Sequence, residues 1–156
     1  MRIYLLLFAL LFMFSCASRN IKYTRDKVLE KTYKDYHVFL NNQKVPFFPL
    51  LFLDKENIKN TRINKRDKTV KIEQLKKVEL LNFKDLNLDS LAVLPLKWKE
   101  LNLIIIDNFL MHADFKEKIK IEPSAIKNIK YITHDKMHTL NLCGHYHGNV
   151  LKVEIK

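Results

Sequence analysis

Glycine is almost absent: the 156 residues include only 2, Gly144 and Gly148. With none before Gly144, the chain holds no Gly-rich phosphate loop and no dinucleotide-binding fingerprint. Serine is nearly as scarce. Ser15, Ser18, Ser90 and Ser124 are the serines, and none stands in a G-x-S-x-G elbow. Cysteine occurs only at Cys16 and Cys143, too few for a disulfide framework. Carboxylates are outnumbered, 17 Asp and Glu against 28 Lys and Arg, for a net charge of +11. That balance favours anionic partners such as lipid headgroups, polyanions or acidic proteins. The cations are scattered, with no basic helix and no aromatic ladder, so no nucleic-acid partner is expected. No internal repeat and no long low-complexity segment occurs. With so little glycine, turns must come from Asn, Asp and Lys, as in LNNQK, DKEN, NKRD and DNF.

What is present begins with MRIYLLLFALLFMFSCASRN. Arg2 supplies a short positive start. Ile3 to Phe14 is an unbroken apolar run, shorter than the roughly 17–25 residues that span a bilayer. Ser15-Cys16 follows at once. The segment resembles a bacterial lipoprotein signal, cut before a cysteine that carries lipid. The competing reading is ordinary cleavage after Ala17, with Ser15 and Ala17 as the small residues. The first reading makes residues 1–15 a signal peptide and Cys16 the lipidation site. It makes the polar, basic stretch 16–31 a tether. The product would be an exported cell-envelope protein, an outer-membrane lipoprotein with the membrane as a partner through its anchor. Each buried CH₂ of the acyl chains contributes about 0.8 kcal/mol, and stable anchoring takes more than one chain. A lipidated Cys16 cannot pair with Cys143, so no intramolecular disulfide is expected.

A hydrophobic content of 47% and an aromatic content of 11% argue for a folded chain. Residues 32–156 are enough for a single domain with a real core. Tyr36–Leu40 reads as a strand. Pro46 and Pro49 forbid a regular helix in KVPFFPLLFLD, where Leu50–Leu53 reads as a short buried strand. Its apolar run is either a contact surface or core, and a continuous run favours core. Ile58 to Glu73 reads as a hairpin turning at NKRD. LNLIIID is a buried strand running into an Asp107-Asn108 turn. Pro123 starts a short helix over PSAIKNI, IKYIT is then a strand, and Asp135 to Leu142 forms a helix that Gly144 ends. VLKVEI alternates as a last strand. Leu103–Ile106, Ile129–Ile132 and Val150–Ile155 are expected in one sheet. The fold class expected is α+β, a small mixed sheet with short helices. Residues 74–99 are ambiguous between helix and strand.

The order of pieces from LIIIDN (Leu103–Asn108) through EPSAIKNIKYI (Glu122–Ile132) and HDKMHTLNLCG (His134–Gly144) to HGNVLKVEIK (His147–Lys156) resembles part of a known domain. It is similar to the second half of the plug domain of TonB-dependent outer-membrane receptors. The departures are Asn108 for a turn glycine, Cys143 for a tyrosine and Gly-Asn for Asn-Gly. The resemblance implies a plug-like C-terminal half over residues 100–156 and carries no catalytic residues with it. Membrane strands take roughly 10 residues each, so no barrel can be built from what remains. The function expected is a lipid-anchored, non-catalytic envelope interaction module with an envelope protein as partner.

The alternative is a small periplasmic metal-binding lipoprotein. His134 and His138 are four apart and would share a helix face, while Cys143, His145 and His147 alternate as on a strand. These are good ligands for zinc or copper. Against this, the plug-like reading puts His145 and His147 on a loop, and the spacing is not that of a structural zinc module. No cofactor is therefore expected. Cys143 with a nearby histidine could form a nucleophile pair, but no third orienting group is evident. An enzyme is not expected. Gly144 and Gly148 are expected to be structural, in a loop that needs positive φ.

Overall fold

A computed structural model describes residues 18–87, 100–134, 136 and 148–156. Their contacts group them into two compact units, where one domain over 32–156 is expected. The first holds the described residues up to Pro49 together with Asn57–Lys77. The second holds Leu50–Glu56 and the described residues from Val78 onward.

The first unit is a five-stranded sheet with a helix. Its strands are β1 (Ser18–Ile21), β2 (His37–Leu40), β3 (Gln43–Lys44), β5 (Ile58–Asn64) and β6 (Thr69–Gln74), in the order β1-β5-β6-β2-β3. TVKIEQ alternates, and Val70 and Ile72 are fully buried while Lys71 and Glu73 face water. Val38 and Leu40 of β2 stand beside Val70 and Ile72 in parallel register, and Ile63 of β5 stands opposite Val70. The buried residues therefore share one face. Helix α1 (Arg25–Thr32) contributes Val28 and Leu29 to the buried set. Asp26 in its first turn and Lys31 in its last suit the helix dipole.

Turns without glycine rest on the residue types expected. Asn41 and Asn42 join β2 to β3 with φ of 49° and 66°, in the left-handed region that Asn tolerates best after glycine. In the β5–β6 turn, the Asn64 Oδ1 accepts from the backbone N–H of Arg66 at 2.9 Å and of Asp67 at 3.2 Å. The Asn64 amide also donates to Asp67 Oδ2 at 2.6 Å.

The expected tether over 16–31 is corrected from Ser18 onward. β1 pairs with β5 along Ser18–Ile21, and α1 follows with Val28 fully buried. A short polar strand is stable here because β1 is an edge. Its backbone is paired on one side, and its Ser and Arg side chains face water.

The second unit carries two sheets. β8 (Leu101–Ile106), β9 (Phe109–His112), β11 (Ile126–Ile132) and β12 (Asn149–Ile155) form one, in the order β11-β12-β8-β9. β12 runs parallel to β8 and antiparallel to β11, and β9 returns from β8 through Asp107-Asn108. The expected strands at Leu103–Ile106, Ile129–Ile132 and Val150–Ile155 lie together in this sheet. The other sheet is small: β4 (Leu51–Phe52), β10 (Lys120–Ile121) and β7 (Leu81–Asn82), with β10 central. Ile104, Ile106, Leu151 and Val153 pack with Phe52, Phe83, Ile119 and Ile121 in one core. Leu103, Val150 and Ile132 pack on the opposite face with Ile105. Burial on both faces explains why LNLIII reads as a run and not as an alternation.

The α+β expectation with short helices is overturned. Strands dominate the described residues, in three sheets, with a single α-helix among them. The Pro-started helix expected over PSAIKNI is reduced to one 3₁₀ turn, Pro123–Ala125, and Ile126 already begins β11. Proline pre-sets the first helical φ but does not extend a helix. Buried Ile129 and Ile132 serve the sheet instead. The helix expected over 135–142 lies outside the described residues except for Lys136. In KVPFFPLLFLD, Phe48 and Leu50–Leu53 are buried while Phe47 is 59% exposed, so the run is mainly core.

Candidate functional site

The expected ligands His138, Cys143, His145 and His147, the loop Gly144 and the lipidation site Cys16 lie outside the described residues. His134 and Gly148 are within them, and the sheet brings them together. β11 ends at Ile132 opposite Val150 of β12, so the residues just beyond each strand meet across the sheet end. The His134 backbone N–H donates to Asn149 Oδ1 at 3.0 Å. The Gly148 N–H donates to His134 Nδ1 at 3.3 Å. Acceptance at Nδ1 leaves the ring proton on Nε2. A metal at Nε2 would require that proton to move to Nδ1, which would break the bond to Gly148. Among the described residues, no group of three or more His, Cys, Asp or Glu is placed to hold a metal ion.

Asn102 of β8 completes this corner. Its Oδ1 accepts from the Asn149 N–H at 3.3 Å. Its side-chain amide also fills the space that a Cβ on Gly148 would take, and Gly148 has φ of 136°. Glycine is thus required twice at this position, by conformation and by space.

At the other end of β8, Asp107 takes φ of 53° in the turn to β9. Its backbone N–H donates to Val153 O at 2.8 Å. Its Oδ1 accepts from the Ile155 N–H, also at 2.8 Å. The carboxylate extends the β8–β12 ladder beyond the point where the backbone leaves it.

No protein-family model, curated protein or solved structure matches the chain. The assignment of any role therefore rests on the residues themselves.

Two acids that sequence reasoning passed over are buried in the second unit. Asp54 is 5% exposed and Glu122 is fully buried. Glu122 Oε2 accepts from the Asp54 N–H at 3.2 Å, and its Oε1 accepts from Ser124 Oγ at 3.2 Å. Asp54 Oδ1 accepts from the Glu56 N–H at 3.0 Å, and Oδ2 lies 3.8 Å from Lys156 Nζ. The Glu122 N–H donates to Phe52 O at 2.9 Å, and the Lys156 N–H to Ala125 O at 2.9 Å. Each carboxylate is held by donors that a buried charge requires. Together they tie the loops after β4 and β10 to the end of β12. Their one signal in sequence was an acid directly after an apolar stretch, in LLFLD and IKIE.

Proposed function

We propose that the protein is a lipid-anchored, non-catalytic interaction module of the cell envelope, with a C-terminal half that resembles a receptor plug. The supporting observation is the order of strands in the second unit. The pieces that carry the resemblance, from Leu103–Asn108 and Glu122–Ile132 to the described part of His147–Lys156, lie side by side in one sheet. Parallel β8 and β12 are at its centre. Asp107 and Gly148, the residues at the two resembling turns, are both engaged in closing that sheet. β9 is an edge of it, and its Leu110 is 42% exposed. An exposed edge strand can accept a further strand from a partner.

A photo-reactive residue in place of Leu110, in the full chain expressed in its own cells, tests this reading. The expected result is an adduct with an envelope protein, absent when the probe replaces Lys71 in the first unit. Fractionation of the protein away from membranes, or identical adducts from both positions, contradicts it.

A further inference from the structure

We propose that the first unit binds the phosphate of an anionic lipid headgroup in a cationic pocket between β1, α1 and the β5–β6 turn. The pocket has a volume of about 380 Å³ and is lined by Arg19, Ile21, Lys27, Glu30, Lys31, Ile63 and Lys65.

The strand register explains why these residues converge. Arg19 pairs with Ile63, so the two share a face of the sheet. Ile21 lies two residues beyond Arg19, and Lys65 two beyond Ile63, so strand alternation returns both to that side. On α1, Lys27, Glu30 and Lys31 are spaced as i, i+3 and i+4 and line one helix face. Two isoleucines form an apolar floor, and four cations surround it.

Glu30 is the sole acid in the lining, and lysines balance it. Lys34 Nζ lies 2.6 Å from Glu30 Oε1, and Lys31 Nζ lies 3.5 Å away. The Lys34 hydrogen bond, with the charges of Lys31 and Lys34, holds the Glu30 carboxyl below its usual range. Lys34 is outside the lining, so it offsets this charge without occupying the pocket. Among the described residues, Arg19, Lys27 and Lys65 form no ion pair. Three cations are therefore left to face an anion, and an Arg guanidinium can hold two phosphate oxygens at once.

The choice of a lipid headgroup over a free phosphate rests on two features. Ile21 and Ile63 offer apolar contact that an inorganic ion cannot use. The other feature depends on the proposed anchor at Cys16. Arg19 stands three residues after Cys16, so even an extended backbone separates them by at most about 10 Å. An acylated Cys16 would hold the pocket at headgroup depth, where anionic phosphate is concentrated.

The test is calorimetric titration of the purified full-length lipoprotein in a neutral detergent. The three probes are short-chain phosphatidylglycerol, short-chain phosphatidylcholine and inorganic phosphate. Phosphatidylglycerol is expected to bind more tightly than the other two. The double variant Arg19→Gln/Lys65→Gln should weaken that binding about tenfold or more, since charged hydrogen bonds to phosphate are lost. Lys27→Gln should weaken it in the same direction. Lys44→Gln/Lys71→Gln removes the same charge from the sheet's other face, where both residues stand beside Phe39, and should leave binding unchanged. Equal binding of phosphatidylcholine, equal binding of inorganic phosphate, or equal losses in the two double variants would overturn the proposal. The titration reads the pocket in detergent whether or not Cys16 is acylated. Fatty-acid labelling reads the anchor whether or not the pocket binds. The two ideas can therefore fail separately.

Discussion

The side-chain amide of Asn102 occupies the space that a Cβ on Gly148 would need. Asn102 lies on β8 and Gly148 directly precedes the neighbouring parallel strand β12, and the same Asn102 accepts from the N–H of Asn149. Gly148→Ala is expected to destabilise the protein by about 1–3 kcal/mol, through strained φ and displacement of Asn102. Adding Asn102→Ala should recover only the steric part, because an alanine at position 148 must still adopt φ near 136°. Denaturant unfolding of the two single variants and the double measures both terms. An unchanged midpoint in Gly148→Ala would contradict the required glycine.

Asp107 presents the complementary case. Asp107→Ala should cost about 1–2 kcal/mol, because the Ile155 N–H loses its acceptor and alanine resists the left-handed turn. Asp107→Asn retains an amide oxygen and tolerates the same φ, so it should stay near wild type. Equal losses in the two variants, measured by thermal unfolding, would show that Oδ1 is not what holds β12.

Strands of strong alternation or strong aliphatic character were legible before any coordinates. TVKIEQ and VLKVEI show a period of two, and LNLIII shows the continuous run of a strand covered on both faces. β1 was not legible. SRNI has no apolar pattern, and only its pairing with β5 makes it a strand. Arg25–Thr32 was likewise too short and polar to signal a helix, since it buries only Val28 and Leu29. Pro123 announced a helix start but delivered one 3₁₀ turn, because tertiary packing gave the following residues to β11. The sites were less legible still. Asn102 and Asn149 are 47 residues apart, and Asp54 and Glu122 are 68 apart. Local spacing holds no information on such meetings. Among the expected metal ligands, His134 is spent on a backbone contact, and the other four lie outside the described residues.

Burial in β8 sets a graded expectation. Ile104 is fully buried in the main core of the second unit, whereas Ile105 is partly buried against the smaller cluster. Ile104→Asp should unfold that unit, because an uncompensated buried carboxylate costs several kcal/mol. Ile105→Asp should cost less. Circular dichroism and denaturant unfolding rank the two, and the reverse order would contradict the placement of these side chains.

The histidines give a prediction that divides the two functional readings. His145→Asn/His147→Asn should melt close to wild type, with or without zinc. A real site would behave otherwise. Zinc at a hundredfold excess over its Kd would stabilise the wild type by about 2.7 kcal/mol, and the double variant would lose that gain. Differential scanning fluorimetry in chelator and in zinc measures it. A zinc-dependent shift that disappears in the double variant would favour the metal-binding alternative.

The central claim is that this module is held at a membrane by lipid on Cys16, and metabolic labelling with a fatty acid tests it most directly. The wild-type chain should take up label and sediment with membranes, and Cys16→Ala should take up none. Equal labelling of both, or a mature N-terminus at Ser18, would contradict the lipid anchor.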